Sequence, residues 1–543
     1  MATAKQFWRR GEPLVWATGA SLAGMLLLVF LLLAVVAVNG LGVFWPARVA
    51  EIAFNDGNKV LGQIVRREVN PDTGKSSVQL KTANREQDPQ RQDFRWATDD
   101  SIRSMRFPAE VCVLERAENG DFQGYVKGVA GPDVARTNGD TAKSLAKALS
   151  DVRRKTTKEI DPLAAQLSSL GNELHEIRGE LLRLNYQKVH GGRGGLDRRI
   201  AELEASSGRI KQRSDRLVHE QQRKLSELRR NVVVMANAAG KETPVALADV
   251  VRVYCPNAMS FAAKCRHYLA KIGELLWDNP RESNTEGGLF PAIFGTVMLI
   301  FLMAAACFPL GVLAGVYLGE YAKDGVLVRI VRIAVNNLAG IPSIVYGIFG
   351  LGFFVYGVGG LLDQWFFPER VAVGTPTFGT GGILWASLTL GLLTVPVVIV
   401  STEEALRAIP RATRESSLAL GATKFQTVVR VLTPMASPGM MTGFILAMAR
   451  AAGEVAPLMI TGVVKLAPQM PLDGAFPFFH LDRKFMHLGF HIYDVGFQSP
   501  NVEASKPMVF VTTLLLLAIV LAMTSTAIHL RNRMRSRCQM RTI

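Results

Sequence analysis

Apolar stretches too long for a soluble core constrain this chain most. Uncharged runs cover residues 13–47, 287–319, 333–362, 371–402 and 507–530. Each is long enough to cross about 30 Å of hydrocarbon as a helix. A sixth run, 434–464, joins them once its internal Arg450 and Glu454 are tolerated. In lipid every backbone polar group must be satisfied within the segment, so helices are the only element such runs permit. The first run is too long for a cleavable leader and no small-x-small site follows it, so it reads as an anchor. The 543 residues, 49% of them hydrophobic, thus divide into a membrane part at both ends and a polar middle.

The net charge of +16 falls where a membrane topology needs it. Segments 1–13, 320–333, 403–433 and 531–543 hold sixteen Lys and Arg against six acids, which is +10 of the total. That bias places both termini and these loops in the cytoplasm of an inner-membrane protein. The polar middle then lies outside, and the charge needs no nucleic acid to explain it. The basic tail of Arg531, Arg533, Arg535, Arg537 and Arg541 holds topology and touches anionic lipid.

Residues 48–140 read as small β structure, with runs 60–69 and 77–81 joined by a turn at Asn70-Pro71-Asp72-Thr73-Gly74. Residues 243–254 return as a strand. Between them, Asp161-Pro162 predicts a helix start. Leu163, Leu167, Leu170, Leu174, Ile177, Leu181 and Leu184 then recur in four- and three-residue steps. Glycines around 191–195 break the seam, and Leu196, Ile200, Leu203, Ile210, Leu217, Leu225, Leu228 and Val232 form a second. The pattern predicts an antiparallel coiled-coil hairpin over 141–233, a structural arm or a docking arm for a partner. Of five cysteines, Cys112, Cys255 and Cys265 fall in the outer part, where oxidation is permitted, and a Cys255–Cys265 bridge is one pairing open to them.

Chemistry gathers in residues 402–462. Arg407, Arg411, Arg414, Lys424 and Arg430 alternate with Leu406, Ile409, Leu418, Leu420, Val428 and Val431 at helical period, and Gly421 interrupts them. With a helix starting near Pro438, Arg450 lies ~18 Å along it and Glu454 one turn further on the same face. An intramembrane charge pair is expensive and is a functional candidate by default. The reading is that Arg450 meets a passing oxyanion; its alternative is a purely structural ion pair. Gly340-Ile341-Pro342-Ser343 interrupts the third run and frees backbone groups that must face protein or a water-lined path. Gly347, Gly350 and Gly352 follow, small enough for close helix packing. Thr394 and Pro396 mark a kink near the end of the fourth run. No Walker motif occurs, so any ATP drive comes from a partner.

Glu415-Ser416-Ser417, then Gly421, then Val431 to Pro434 resembles the EAA loop of permease subunits of ATP-binding-cassette importers. Ser416 and Ser417 stand for its alanines and Thr433 for its leucine. GGLFPAIFGTVMLI (287–300), FPLGVLAGVYLGEYA (308–322), AGIPSIVYGIFGLG (339–352) and RAAGEVAPL (450–458) narrow the resemblance to the A-type permeases of phosphate importers. Val455 stands where that family usually has Thr. The resemblance implies an α-helical polytopic membrane protein with a six-helix importer-permease core over 287–530 plus the first span (1–47), a periplasmic insertion (48–286) and a basic tail (531–543). It makes 403–433 a coupling helix whose Arg414, Glu415, Ser416, Ser417, Leu420, Gly421 and Ala422 meet a dimeric cytoplasmic ATPase. It makes Gly340, Pro342 and Ser343 pathway candidates beside Arg450 and Glu454. It implies a related permease subunit, a soluble phosphate-binding protein, and ATP and Mg bound by the ATPase, with no cofactor in this chain. Another oxyanion, such as molybdate or sulfate, and a non-transporting sensor or scaffold are the alternatives.

Overall fold

The computed structural model describes residues 12–69, 74, 76–84, 94–132, 141–191, 195–474, 478–499 and 502–540. The basic tail residues Lys5, Arg9, Arg10 and Arg541, most of the 70–74 turn, part of the arm's glycine tip, and Phe476-Pro477 lie outside them.

Among the described residues, six helices are long and apolar enough to cross a membrane: Leu14–Gly42, Phe290–Tyr321, Ser343–Phe366, Ile383–Arg407, Lys424–Gly453 and Ser505–Ser536. Their order matches the sequence reading, but three boundaries move. The third span begins at Ser343, because residues before it form a separate amphipathic helix, Val326–Leu338. Gly340–Pro342 is therefore the corner between two helices and not a break inside one. The fourth span starts at Ile383, and residues 373–382 form a loop, which Asp363 staples by accepting from the Phe378 and Gly379 amides at 2.9 and 2.6 Å. The fifth span runs unbroken through Pro438 from Lys424 to Gly453.

The fourth span is the centre of the bundle, with 67% of its apolar window buried against 17–33% for the second, third, fifth and sixth. Small residues on its neighbours permit this. A Cβ on Gly315 of the second span would stand 2.6 Å from Thr402 Cβ, and one on Gly443 of the fifth would overlap the Ser401 hydroxyl. Between membrane helices, close approach of this kind gives the dispersion contact that water-driven burial cannot. The packed centre joins Leu299, Met303, Leu390, Leu393, Ile445 and Ala451.

Between the first two spans stand two antiparallel five-stranded sheets. The first, in order β4-β3-β2-β1-β5, comprises β1 (Val49–Phe54), β2 (Lys59–Val69), β3 (Ser76–Lys81), β4 (Phe94–Thr98) and β5 (Ile102–Arg106). Ala50, Ile52 and Phe54 alternate into its core beside Val78 and Leu80, the period-two signature of a half-buried sheet. The second, in order β10-β6-β7-β8-β9, comprises β6 (Val111–Arg116), β7 (Phe122–Ala130), β8 (Val232–Ala236), β9 (Glu242–Ala246) and β10 (Val250–Tyr254).

The arm leaves the second sheet at Ala130 and returns at Val232, which pair with each other. Val232 is thus a strand residue; the second arm helix, Leu196–Arg229, ends before it. Asp161 is no helix start either. The helix begins at Thr141 and passes through a π-turn at Thr156–Ile160 into Asp161–Val189. The wide turn lies directly before Pro162, whose ring would otherwise meet the carbonyl of Lys158 four residues back. Leu163 and Leu170 of one helix and Ile200, Leu203 and Ile210 of the other are buried along the seam. The first arm helix also packs on the short helix Pro368–Ala372 between the third and fourth spans, Gly179 facing Arg370.

Cys112 is bonded to Cys255, not Cys255 to Cys265. Adjacent strands β6 and β10 bring the first pair together, whereas Cys265 is carried off on the helix Phe261–Trp277.

Candidate functional site

At one end of the bundle, residues 403–407 close the fourth span and two short helices follow, Arg411–Ala419 and Lys424–Thr427, the second opening the fifth span through a π-turn at Val428–Leu432. The corner between them follows from Gly421, whose φ of +86° lies in the left-handed region. Its amide donates to Leu418 O (2.9 Å) and that of Ala422 to Ser417 O (3.2 Å), a Schellman closure. Thr423 and Gln426 then cap the next helix reciprocally. Ser417 and Thr427 bind hydroxyl to hydroxyl at 2.9 Å, holding the two helices together.

Arg414 anchors this corner to the second span. Its guanidinium donates to Glu320 at 2.7 and 3.1 Å and to the carbonyls of Leu406 and Ile409 at 2.6 Å each. Lys424 lies over the Tyr321 ring at 5.0 Å, adding a cation–π contact to the same turn of helix. Nearby, Glu403 of the fourth span binds Arg332 at 2.9 Å and Arg407 at 2.6 Å. Glu415 and Ser416 face outward, and Leu420 is 89% exposed, flanked by exposed Leu418 and Phe425. The sequence reading found Arg414 but neither Glu320 nor Phe425. Glu320 comes from another helix, and no local pattern signals such a partner.

At the far end of the fifth span the geometry corrects the expected pair. Arg450 lies in the last turn of the helix, and Glu454 is past its end in extended conformation (φ −82°, ψ 134°). Pro457 explains the stop, since its ring excludes the carbonyl of Gly453 that a continuing helix would place there. A short helix, Ala456–Thr461, follows and wedges its Pro457 against Gly347 of the third span. Arg450 and Glu454 still meet, at 3.7 Å, an ion pair without a hydrogen bond. Both side chains keep some exposure, 33% and 21%. A guanidinium so loosely held keeps its planar set of donors for a second anionic partner.

Gly340, Pro342 and Ser343 connect to this end through Tyr346. The corner is closed by Gly340 N–H to Asn337 O and Ile341 N–H to Leu338 O, and Tyr346 Oη donates to that same Leu338 carbonyl at 2.6 Å. Ile341, Tyr346 and Ala451 share one apolar cluster. Pro342 is exposed and Ser343 half-buried. Among the described residues no group of three His, Cys, Asp or Glu side chains is placed to hold a metal ion.

Residues 308–536 match the model of the family described as binding-protein-dependent transport system inner membrane component. The probable ABC transporter permease protein YqgH of Bacillus subtilis is 30% identical over 267 residues, 48% of this chain and 80% of that one. The probable phosphate transport system permease protein PstA of Methanocaldococcus jannaschii is 34% identical over 242 residues, 44% of this chain and 74% of its own. The phosphate transport system permease protein PstA 1 of Mycobacterium tuberculosis is 36% identical over 174 residues, covering 32% and 51%. With six spans, a charged corner keyed to the second of them and this likeness, the chain belongs to the binding-protein-dependent inner-membrane permeases of ABC transporters, a multi-pass transport subunit and not itself an enzyme.

Proposed function

We propose that this chain is one permease subunit of an ATP-driven phosphate importer. The observation that carries the reading is the Arg414–Glu320 anchor beneath an exposed Leu418–Leu420–Phe425 tip. A partner that grips the tip moves the second span through Arg414 and the fifth span through the continuous helix beyond Lys424. The partner is a dimeric ATPase, which binds ATP and Mg; no cofactor resides in this chain. Both termini and the 403–433 corner face the cytoplasm, and the sheets and arm face the opposite side, where a soluble phosphate-binding protein delivers its cargo. A related permease subunit supplies the other half of the pathway. Arg450 receives the oxyanion, Glu454 returns to it once the anion has left, and Gly340, Pro342 and Ser343 border the route. Two relatives named for phosphate transport support the substrate class, and a third named as an ABC transporter permease supports the subunit's role.

The test is uptake of labelled phosphate by the full complex in proteoliposomes, with ATP inside. ATP-dependent phosphate accumulation that excess sulfate and molybdate leave unchanged is the expected result. Accumulation of one of those anions instead would replace the substrate and keep the permease. Phosphate-dependent signalling without uptake of any of them would overturn the transport role.

A further inference from the structure

The helix Phe261–Trp277 links the second sheet to the second span, and its faces are reversed from those of a helix on a soluble domain. Toward the protein it turns His267, Lys271, Glu274 and Leu275. Lys271 meets Glu115 at 2.6 Å and Glu274 at 3.3 Å, and Glu274 also binds Arg252 (3.2 Å) and Arg281. Outward it turns Phe261 (74% exposed), Leu269 (66%) and Trp277 (74%), with Ala262 and Ala270 between them and Arg266 as the exposed charge. At about 100° per residue these positions fall on one side of the helix. In water the polar face would be outside.

Both ends of this helix are tied to places where spans leave the bilayer. Trp45, just past the end of the first span, has its ring 5.8 Å from Phe261 and 6.1 Å from Tyr268. Trp277 stacks on Phe290, the first residue of the second span, at 6.0 Å. Aromatic side chains concentrate at this depth because one end of the ring system is apolar and the other wet.

We propose that Phe261–Trp277 lies in the membrane plane as an interfacial helix, its Phe261–Leu269–Trp277 side seated in lipid and Arg266 on lipid phosphates. The occupant of this face is the bilayer, because the face is continuous with two spans that are already in it. Such helices sit about 5–10 Å into the headgroup–acyl boundary. The inward charges then become a clamp: the Glu115–Lys271–Glu274–Arg252 network fixes the second sheet to a floor that floats on lipid. This gives the β-sheets a fixed height above the bundle without requiring a protein partner below them.

The experiment places a fluorescent label at Leu269→Cys or Trp277→Cys in the full chain, with Cys265, Cys307 and Cys538 replaced by Ser and the Cys112–Cys255 bond kept. The assembled transporter is reconstituted in phosphatidylcholine discs. Arg213→Cys, on the exposed side of the arm, is the reference. Labels at 269 and 277 are expected to be quenched by lipids carrying a shallow nitroxide and to lose the iodide quenching seen at 213. Iodide quenching equal to that at 213 would overturn the proposal, as would protection from both quenchers, which would put a protein partner on this face.

Discussion

Arg414 and Glu320 lie 94 residues apart and meet through two donors on one carboxylate oxygen, Nη2 at 2.7 Å and Nε at 3.1 Å. The side chains are 22% and 10% exposed, so little solvent competes. Removing one partner leaves the other a nearly buried, unpaired charge, which costs about 3–5 kcal/mol. Arg414→Ala is expected to assemble with its ATPase yet lose most ATP-driven uptake, and Glu320→Gln to behave alike. The paired exchange Arg414→Glu with Glu320→Arg should recover part of the activity. Uptake and ATP hydrolysis measured on the same proteoliposomes check this.

Loss of the Arg450 fork should fall on transport of the anion. Arg450→Ala is expected to reduce uptake roughly 100-fold, the usual effect of deleting a donor aimed at a charged group. Arg450→Lys, which keeps the charge but not the planar geometry, should fall between. Wild-type uptake in both variants, with assembly confirmed, would reduce the pair to a structural role.

Close packing at the fourth span sets a strict size limit. Gly315→Leu would drive side-chain atoms into Thr402 and is expected to cost about 1–3 kcal/mol or more. Gly352→Ala meets nothing within 4 Å and should leave the thermal midpoint unchanged. Melting of the detergent-solubilised chain distinguishes them.

Two groups, His267 on the helix Phe261–Trp277 and Glu286 beyond its end, give opposite pH dependences. Burial, helped by Asp121, pushes the Glu286 carboxyl up to about 7 from its ordinary 4.5. Between those values the folded chain holds more protons than the unfolded one, so this group's contribution falls as pH rises from 4.5 through 7. Burial, with Arg252 and Lys271 adding, pushes His267 down to about 4 from 6.5. There the unfolded chain holds more protons, and stability rises from pH 4 to 6.5. Relative to the parent, Glu286→Gln should therefore melt higher at pH 8 and gain less on acidification. His267→Gln should lose part of the rise between pH 4 and 6.5. Melting midpoints across pH 4–8 test both signs.

The Cys112–Cys255 bond closes a loop that contains the whole arm. Cys112→Ser or Cys255→Ser is expected to destabilise the sheets by about 2–5 kcal/mol. Cys265→Ser should change nothing, and protease sensitivity of the sheets under reducing and oxidising conditions reads the difference.

How much was legible follows from how local each signal is. The six apolar runs, the arm seams and the Gly421 corner were readable because length, heptad spacing and a left-handed glycine act within a few residues. Boundaries slipped where helix chemistry overrode composition. Residues 326–338 formed their own amphipathic helix, and Pro457 stopped the fifth span before Glu454. The helix extends back past Asp161-Pro162, where the sequence predicts its start, because the π-turn at Thr156–Ile160 carries it through the proline.

By itself the sequence determined that this chain crosses a membrane six times, carries a hairpin arm, and presents a charged corner between its fourth and fifth spans. The fold alone decided which sheet edges pair across the arm, that Cys112 and not Cys265 reaches Cys255, and that Glu320 receives Arg414. The physical reason is range. Apolar transfer and helix period are summed over neighbouring residues, whereas strand partners, a disulfide and a buried ion pair are selected by which distant surfaces fit together once the chain has packed.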